Sequence, residues 1–434
     1  MGQKTDSAWN AMRHDTLSVN EKAIYTTLDK LLTMPKFIQL QTRLKFIGTG
    51  YRYIGNYEIG PWFNWISANQ WEGNRFRFDL GTNTGFNKNI YFHSYLAYGT
   101  NDQQLKGKGE VYWLLNRTPK RFRLHFLYSN DIDHGISQLG DVSQDNIFTF
   151  AVRKKNITRK FLQLKDMRFA AFKDIGKGFS TELFVSRRQY TPLQNLPFID
   201  NFPTAKGDPL TSFEVAMQLR FAYLEQFVEG DYFRYSLGTK YPIVEMMLVK
   251  AIPGLFKSAY SYTKMSLSIK DFVKISPYGT IRYKVFAGKV NGALPFTFLE
   301  NHPGNDFYYY NTNSYNLMTR FEYLSDRYAG INMEHNFGSG LFRFIPLTRK
   351  LKWRQFWNAK ALWGSLSDEN LALNNNGANY FKTLNRKTYL ELGTGIDNIF
   401  KVLRFDFIWS IAPASALIAK TSRFGVFGSL QFQF

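Results

Sequence analysis

Histidines at positions 14, 93, 125, 134, 302 and 335 are the side chains best suited to metal or acid–base chemistry, and no two stand at a ligand spacing. The chain has no cysteine, which rules out disulfides, thiolate metal sites and thiol redox chemistry. No metal and no cofactor is expected. Asp131-Ile132-Asp133-His134 has the groups to hold an ion or to act as an acid/base pair, but a lone cluster of this kind is ordinarily a solvated loop. Gly107-Lys108-Gly109 lacks the rest of a phosphate-binding loop, and no Gly-x-Ser-x-Gly nucleophile elbow occurs. What remains is a set of charges spaced among bulky apolar residues: Arg75, Arg77, Asp79, Glu214, Arg220, Arg320, Glu322, Glu391, Arg404 and Asp406. Such charges make structural ion pairs across a polar interior or line a gate or transport path. A second basic group, Arg349, Lys350, Lys352 and Arg354 around Trp353, suits an interface anchor beside anionic headgroups.

The elements that position these charges follow a period of two. From Phe213 to Tyr223 one face reads Phe213, Val215, Met217, Leu219, Phe221, Tyr223, and the other reads Glu214, Ala216, Gln218, Arg220, Ala222. Alternation over this length exceeds an ordinary globular strand of about 5–6 residues and matches the roughly 9–11 tilted residues that cross a bilayer. The pattern recurs in Phe76, Phe78 and Leu80 against Arg75, Arg77 and Asp79, and in Ile90, Phe92, Leu96 and Tyr98 against His93, Tyr95 and Ala97. It recurs again in Leu403, Phe405, Phe407, Trp409 and Ile411 against Arg404, Asp406 and Ser410. Tyr315, Leu317, Phe321 and Tyr323 against Asn316, Arg320 and Glu322 read as one more strand. About sixteen such segments (14–18) are expected, with loops at 130–145, 190–210, 291–313 and 365–385, mostly extracellular. Residues 241–256 read as a strand closed by a turn at Pro253-Gly254.

The fold class expected is therefore all-β: a transmembrane antiparallel β-barrel over residues 43–434, its charges facing the lumen and its apolar row facing lipid. A charge on the lipid face near the midplane would cost about 2–4 kcal/mol, so one-sided placement is a physical requirement. Composition agrees. Aromatics reach 18%, with 41 Phe, 26 Tyr and 9 Trp, as a lipid face with interfacial girdles needs. No apolar run approaches the roughly 18 residues of a spanning helix, so only a closed barrel could satisfy the backbone in lipid. The net charge of +21 is spread along the strands rather than gathered in one helix or tail, which favours anionic lipid and a basic lumen over nucleic acid.

Residues 1–42 differ, and read as a periplasmic helical segment, linker or remnant of a soluble domain. Ser18 and Glu21 form a capping box, and Ile24, Leu28, Leu31 and Leu32 recur at helical spacing until Pro35. The first residues lack a signal-peptide pattern, so a mature or truncated chain is expected. At the other end, Leu430, Phe432 and Phe434 continue an alternating strand to a terminal aromatic, a pattern similar to the signal by which barrel-assembly machinery receives its clients.

Several segments occur together in order: Glu72-Gly-Asn-Arg-Phe-Arg-Phe78, Tyr98-Gly-Thr-Asn-Asp102, Gly292-Ala-Leu-Pro295, Ser325-Asp-Arg-Tyr328, Glu334-His335, Ile345–Lys352, and Gly395-Ile-Asp-Asn-Ile-Phe400 with Arg404 and Asp406. As a set they resemble an outer-membrane family of Bacteroidota known as a domain of unknown function, over roughly residues 15–434. In that family the barrel usually follows a carboxypeptidase-regulatory-like domain. The later motifs are similar, more loosely, to BamA/TamA-type barrels, which insert or translocate other proteins, although no Arg-Gly-Phe/Tyr motif precedes Ser325-Asp326. The family resemblance supplies no biochemical activity; the alternating strands, the Phe434 terminus and the ordered motifs together lead to the expectation of a non-enzymatic barrel in the bacterial outer membrane, serving its biogenesis or transport. Its partners would be membrane lipid and lipopolysaccharide, the assembly machinery, and outer-membrane or periplasmic proteins. The alternatives are an outer-membrane hydrolase with its site at the lumen mouth and a soluble β-rich protein binding surfaces or glycans.

Overall fold

The computed structural model describes residues 18–133, 147–148, 152–155, 157–202, 208–340, 342–375, 380–412 and 423–430. Phe432 and Phe434 therefore lie outside the described residues, as does His134.

Two helices come first. Ser18 caps α1 (Val19–Thr33) by accepting from the Glu21 amide, while the Glu21 carboxylate accepts from the Ser18 amide at 2.8 Å. Pro35 ends α1 and opens α2 (Pro35–Thr49), because its fixed φ and missing N–H are tolerated only in a first turn. Sequence periodicity suggested a single helix, with alternation from about residue 43. The helical stretch instead runs on until Gly50, whose φ of 83° closes α2.

The rest is strand. In order these are β1 (Arg52–Ile54), β2 (Tyr57–Ile59), β3 (Ile66–Asn69), β4 (Gly73–Thr82), β5 (Ile90–Gly99), β6 (Leu105–Asn116), β7 (Phe122–Asp133), β8 (Phe161–Gly176), β9 (Phe179–Gln194), β10 (Thr211–Ala222), β11 (Gln226–Glu229), β12 (Arg234–Gly238), β13 (Ile243–Ala251), β14 (Thr263–Lys274), β15 (Thr280–Asn291), β16 (Glu300–Asn301), β17 (Leu324–Ser325), β18 (Arg327–Asn336), β19 (Arg354–Ser365), β20 (Thr388–Ile399), β21 (Leu403–Ala412) and β22 (Phe424–Leu430). Eighteen of them form one sheet. Each long strand pairs antiparallel with its predecessor, leaving out only the β11–β12 and β16–β17 pairs, which are separate ribbons. β2 and β3 share one side of β4, so they act as one stave interrupted at 60–65. With that stave counted once and the three-residue β1 set aside, the described residues form sixteen staves, the number expected from alternation.

Burial along the staves is inverted relative to a soluble sheet. On β10, Glu214 and Ala216 are buried while Val215 and Leu219 are exposed. On β4, Arg75 and Asp79 are buried (1% and 0% exposed), whereas Phe76 (51%) and Phe78 (55%) face out. The outward row continues through Phe92, Leu96, Trp113, Phe169, Leu267, Trp363, Phe405 and Trp409. Apolar side chains displayed outward on every stave have no stable state in water but match hydrocarbon. The protein is a transmembrane β-barrel.

One end carries the short turns at 83–89, 117–121, 177–178, 275–279 and 400–402. The other carries the longer connections, including 195–210, 252–262, 292–326 and 366–387. The β13 strand ends as expected, turning at Gly254 with φ 82°. The 292–326 connection departs from expectation. It is not an outlying loop, and Tyr315–Tyr323 is not a stave. Tyr315, Asn316, Phe321 and Tyr323 are all buried, on both sides of the supposed alternation. The segment folds into the barrel and packs against its inner wall.

Candidate functional site

The lumen is built from three parts: a paired wall, a plug and a seam. On the wall of β4–β7, Arg75 lies between Glu72 (2.7 Å) and Asp131 (2.6 Å), and the Tyr95 hydroxyl donates to Asp131 at 2.6 Å. Lys106 donates to Glu72 (2.8 Å) and Asp102. Arg77 grips Asp79 with two nitrogens and lies 3.6 Å over the Tyr95 ring. His93 stands between Asp79 (3.5 Å) and Glu110 (3.1 Å), and Glu110 also meets His125 (3.3 Å) and Lys108 (2.7 Å). The histidines looked isolated in sequence. Register brings them together, since His93 lies directly opposite Glu110 in the β5–β6 ladder. Among the described residues no group of three or more His, Asp or Glu side chains could hold a metal ion.

Elsewhere on the walls, Glu214 pairs with Arg188 (3.2 Å), and Arg220 with Glu225 (2.5 Å) and Glu245 (3.1 Å). Arg404 joins Asp406 and Glu334, each at 2.7 Å, and stacks 3.7 Å over Phe356. Glu391 turns to the plug, accepting the Asn316 (2.9 Å) and Leu317 (2.7 Å) amides. Of the charges expected to line the lumen, Arg320 and Glu322 belong to the plug instead of a stave. Arg320 pairs with Asp306 (2.7 Å) and Glu322 with Lys382 (2.7 Å). The basic group splits. Pro346–Leu351 is a short helix, α3, carrying exposed Arg349 and Lys350 and ended by Lys352 in a left-handed conformation, while Arg354 opens β19 and pairs with Asp397 (2.7 Å).

The plug is moored to opposite walls. Phe296 and Phe298 are fully buried with Tyr190, Tyr262 and Phe381. Across the lumen, Lys360 of β19 donates to the Asn311 (2.9 Å) and Ser314 (2.6 Å) carbonyls. Lys154 donates to the Asn305 (2.5 Å) and Asn316 (2.6 Å) carbonyls, and burial draws its ammonium down to about 8. Within the plug, buried His302 meets the Ser325 hydroxyl at 2.8 Å. Desolvation lowers its pKa to about 3, so it is held neutral.

At the seam, β22 pairs with β21 on one side, and among the described residues no ladder joins its other side to β2 or β3. That free edge is met by the plug. The Gly428 amide donates to the Tyr308 carbonyl and the Tyr310 amide to the Gly428 carbonyl, both at 3.0 Å. The plug strip continues inward, with the Tyr308 amide donating to Val152 and the Lys154 amide to Asp306. Facing it, the Ile147 amide donates to Phe63, at the break between β2 and β3. Backbone groups that would be orphaned at membrane depth are thus satisfied by loop segments instead of by a neighbouring stave.

Residues 45–370, more than half of the chain, match the family described as "Family of unknown function (DUF5686) C-terminal domain". No curated protein matches the chain. Among solved structures, BamA from Haemophilus ducreyi lacking POTRA domains 1–3 is similar at 10% identity and a TM-score of 0.49, covering 84% of this chain and 69% of that one. CdiB from Escherichia coli is similar at 9% identity and a TM-score of 0.48, covering 84% of this chain and 61% of that one. The siderophore receptor PiuA from Acinetobacter baumannii follows at 10% identity and a TM-score of 0.36, with 79% and 55% covered.

Proposed function

The chain belongs to the DUF5686 C-terminal-domain family, and on that premise we propose that it is a non-enzymatic barrel of the bacterial outer membrane that assists outer-membrane biogenesis, with the edge of β22 as its working element. One observation carries the reading. Among the described residues, the sheet edge at Gly428 is held by two plug hydrogen bonds, where a closed ladder would hold a whole stave. An exposed strand edge is a template for pairing with another extended chain. Withdrawal of Tyr308–Tyr310 would leave such an edge at membrane depth, ready for the strand of a client. The lumen supports the non-enzymatic half of the reading: Glu72, Asp79, Glu110 and Asp406 are committed to arginine, lysine or histidine partners, and Glu391 to plug amides.

The test is a photoreactive side chain at Val426, on β22, in cells producing the whole protein. Adducts with newly made outer-membrane proteins, together with depletion of folded barrels when the protein is withdrawn, are the expected result. An unchanged inventory of folded barrels and adducts with lipid alone would overturn the reading. A defect confined to uptake of one solute would place the protein in transport.

A further inference from the structure

At the turn end, below the plug tip at Tyr310–Asn313, lies a cavity of about 910 Å³ bounded by the β13–β15 wall, β18 and β19. Its lining carries six cations, Lys240, Lys270, Lys274, Arg282, Lys284 and Lys360, against two carboxylates. Both carboxylates are engaged: Glu334 pairs with Arg404 at 2.7 Å, and Asp271 accepts the Phe272 amide at 2.7 Å. Lys360 is bound to plug carbonyls. Among the described residues, the other five cations make no ion pair and no side-chain hydrogen bond.

A second observation concerns placement. Lys270 and Lys284 are direct partners in the β14–β15 ladder, and Arg282 lies opposite Phe272, one inward position further along. Like charges directly opposed on neighbouring strands repel, with Cβ atoms only about 4.5–5.5 Å apart. Low-dielectric walls strengthen that repulsion. An arrangement that costs the empty barrel stability is relieved by an anion seated between the charges.

We propose that this cavity is a binding site for a compact, multiply charged phosphate group. Charge density decides the class. Several ammonium groups and a guanidinium line one cavity, with Lys270 and Lys284 directly paired, and a phosphate or diphosphate presents two or more charges on oxygens a few ångströms apart. Carboxylates on one face of an extended acidic peptide are spaced by two residues, about 6.6–6.8 Å, too far apart to serve the Lys270–Lys284 pair together. The plug tip roofs the cavity, so an anion entering from the turn end is held there and does not pass straight through.

The experiment titrates the full chain in detergent at low salt with inorganic pyrophosphate, following heat and thermal unfolding. Pyrophosphate is expected to bind and to raise Tm. Lys270→Gln and Lys284→Gln should each weaken binding by about tenfold or more, as loss of a charge-assisted contact does. Each should also raise the Tm of the protein without ligand, a readout independent of binding. Lys289→Gln, on the outward face of β15, should change neither. A parallel arm uses phosphatidylcholine nanodiscs with and without phosphatidic acid. Stabilisation there, with a weak response to soluble pyrophosphate, identifies a lipid headgroup as the source; the reverse identifies a soluble phosphate. Binding of a hexaglutamate peptide in preference to both phosphate sources overturns the proposal. So does absence of binding combined with unchanged Tm in the two neutralised variants.

Discussion

The wall of β4–β7 and the wall of β14–β15 are made of the same kind of stave, alternating charge inward and apolar bulk outward, yet they handle charge in opposite ways. On the first, Arg75, Lys106, Arg77 and His93 each meet a carboxylate, and Glu72 and Glu110 each serve more than one cation. On the second, Lys270, Lys274, Arg282 and Lys284 face the cavity without a salt bridge among the described residues, Glu245 and Glu225 acting on Lys284 and Lys270 only from a distance. A polar lumen face is a requirement of crossing lipid and says nothing of use, because it would exist in any barrel. Balance within that face is informative. A neutralised wall is scaffold, and a wall left charged points to something that comes from outside the chain.

The largest effect that would break this comparison comes from Arg75→Ala. Removing the cation leaves buried Glu72 and half-buried Asp131 short of a partner, and one-sided breakage of a buried pair costs about 3–5 kcal/mol. Urea unfolding read by heat-modifiable migration measures it. If Arg282→Gln proved equally damaging, the two walls would not differ. Next comes the facing of the staves. Leu219→Arg should cost about 2–4 kcal/mol and Gln218→Arg far less, because only Leu219 looks into lipid. Equal tolerance in the same assay would reverse the facing.

The plug sharpens the contrast at an intermediate scale. Arg320→Ala leaves the buried Asp306 carboxylate without its guanidinium and should cost about 1.5–3 kcal/mol, read as faster amide exchange within 300–326. His302 adds a pH dependence. Its pKa is lowered in the fold to about 3, below the ordinary histidine value, so the folded plug binds fewer protons than the opened one. Stability is therefore fully present above about pH 6.5 and falls as pH drops from there toward 3, by at most about 1.4 kcal/mol per pH unit. Opening free energies of plug amides, taken from exchange rates normalised to the intrinsic rate at each pH, that stay flat between pH 7 and 5 would contradict this; His302→Gln should flatten them. The smallest effect is a gain. Lys284→Gln removes the repulsion with Lys270 and should stabilise the empty barrel by about 0.2–1 kcal/mol.

Much of the cylinder was legible because a stave obeys one simple physical contrast, apolar to lipid and polar to lumen. Phe213–Tyr223 shows it in every residue, and repetition of that pattern led to sixteen staves. The Ser18–Glu21 cap was legible for an equally local reason. The plug was not. Tyr315–Tyr323 imitates a stave, since aromatic residues alternate there with Asn316, Arg320 and Glu322. Inside the lumen, however, both sides are buried and alternation carries no facing information. Two fully buried asparagines, Asn305 and Asn316, bonded to each other at 2.8 Å, belong to a packed loop and not to a lipid-facing strand. The His93–Glu110–His125 group was hidden for another reason: separations of 17 and 15 residues become contact only through the register of β5–β7.

Gly428 has a mechanical corollary. Around most of the circumference, tension in the plane of the membrane is resisted by ladders about ten residues long, such as β10–β13 and β18–β19. At Gly428, among the described residues, the load falls on two backbone hydrogen bonds to a strip that is itself tethered within the bore. Like a perforated line in card, that place decides where the wall parts under load, and pulling a protein of this kind apart should begin there.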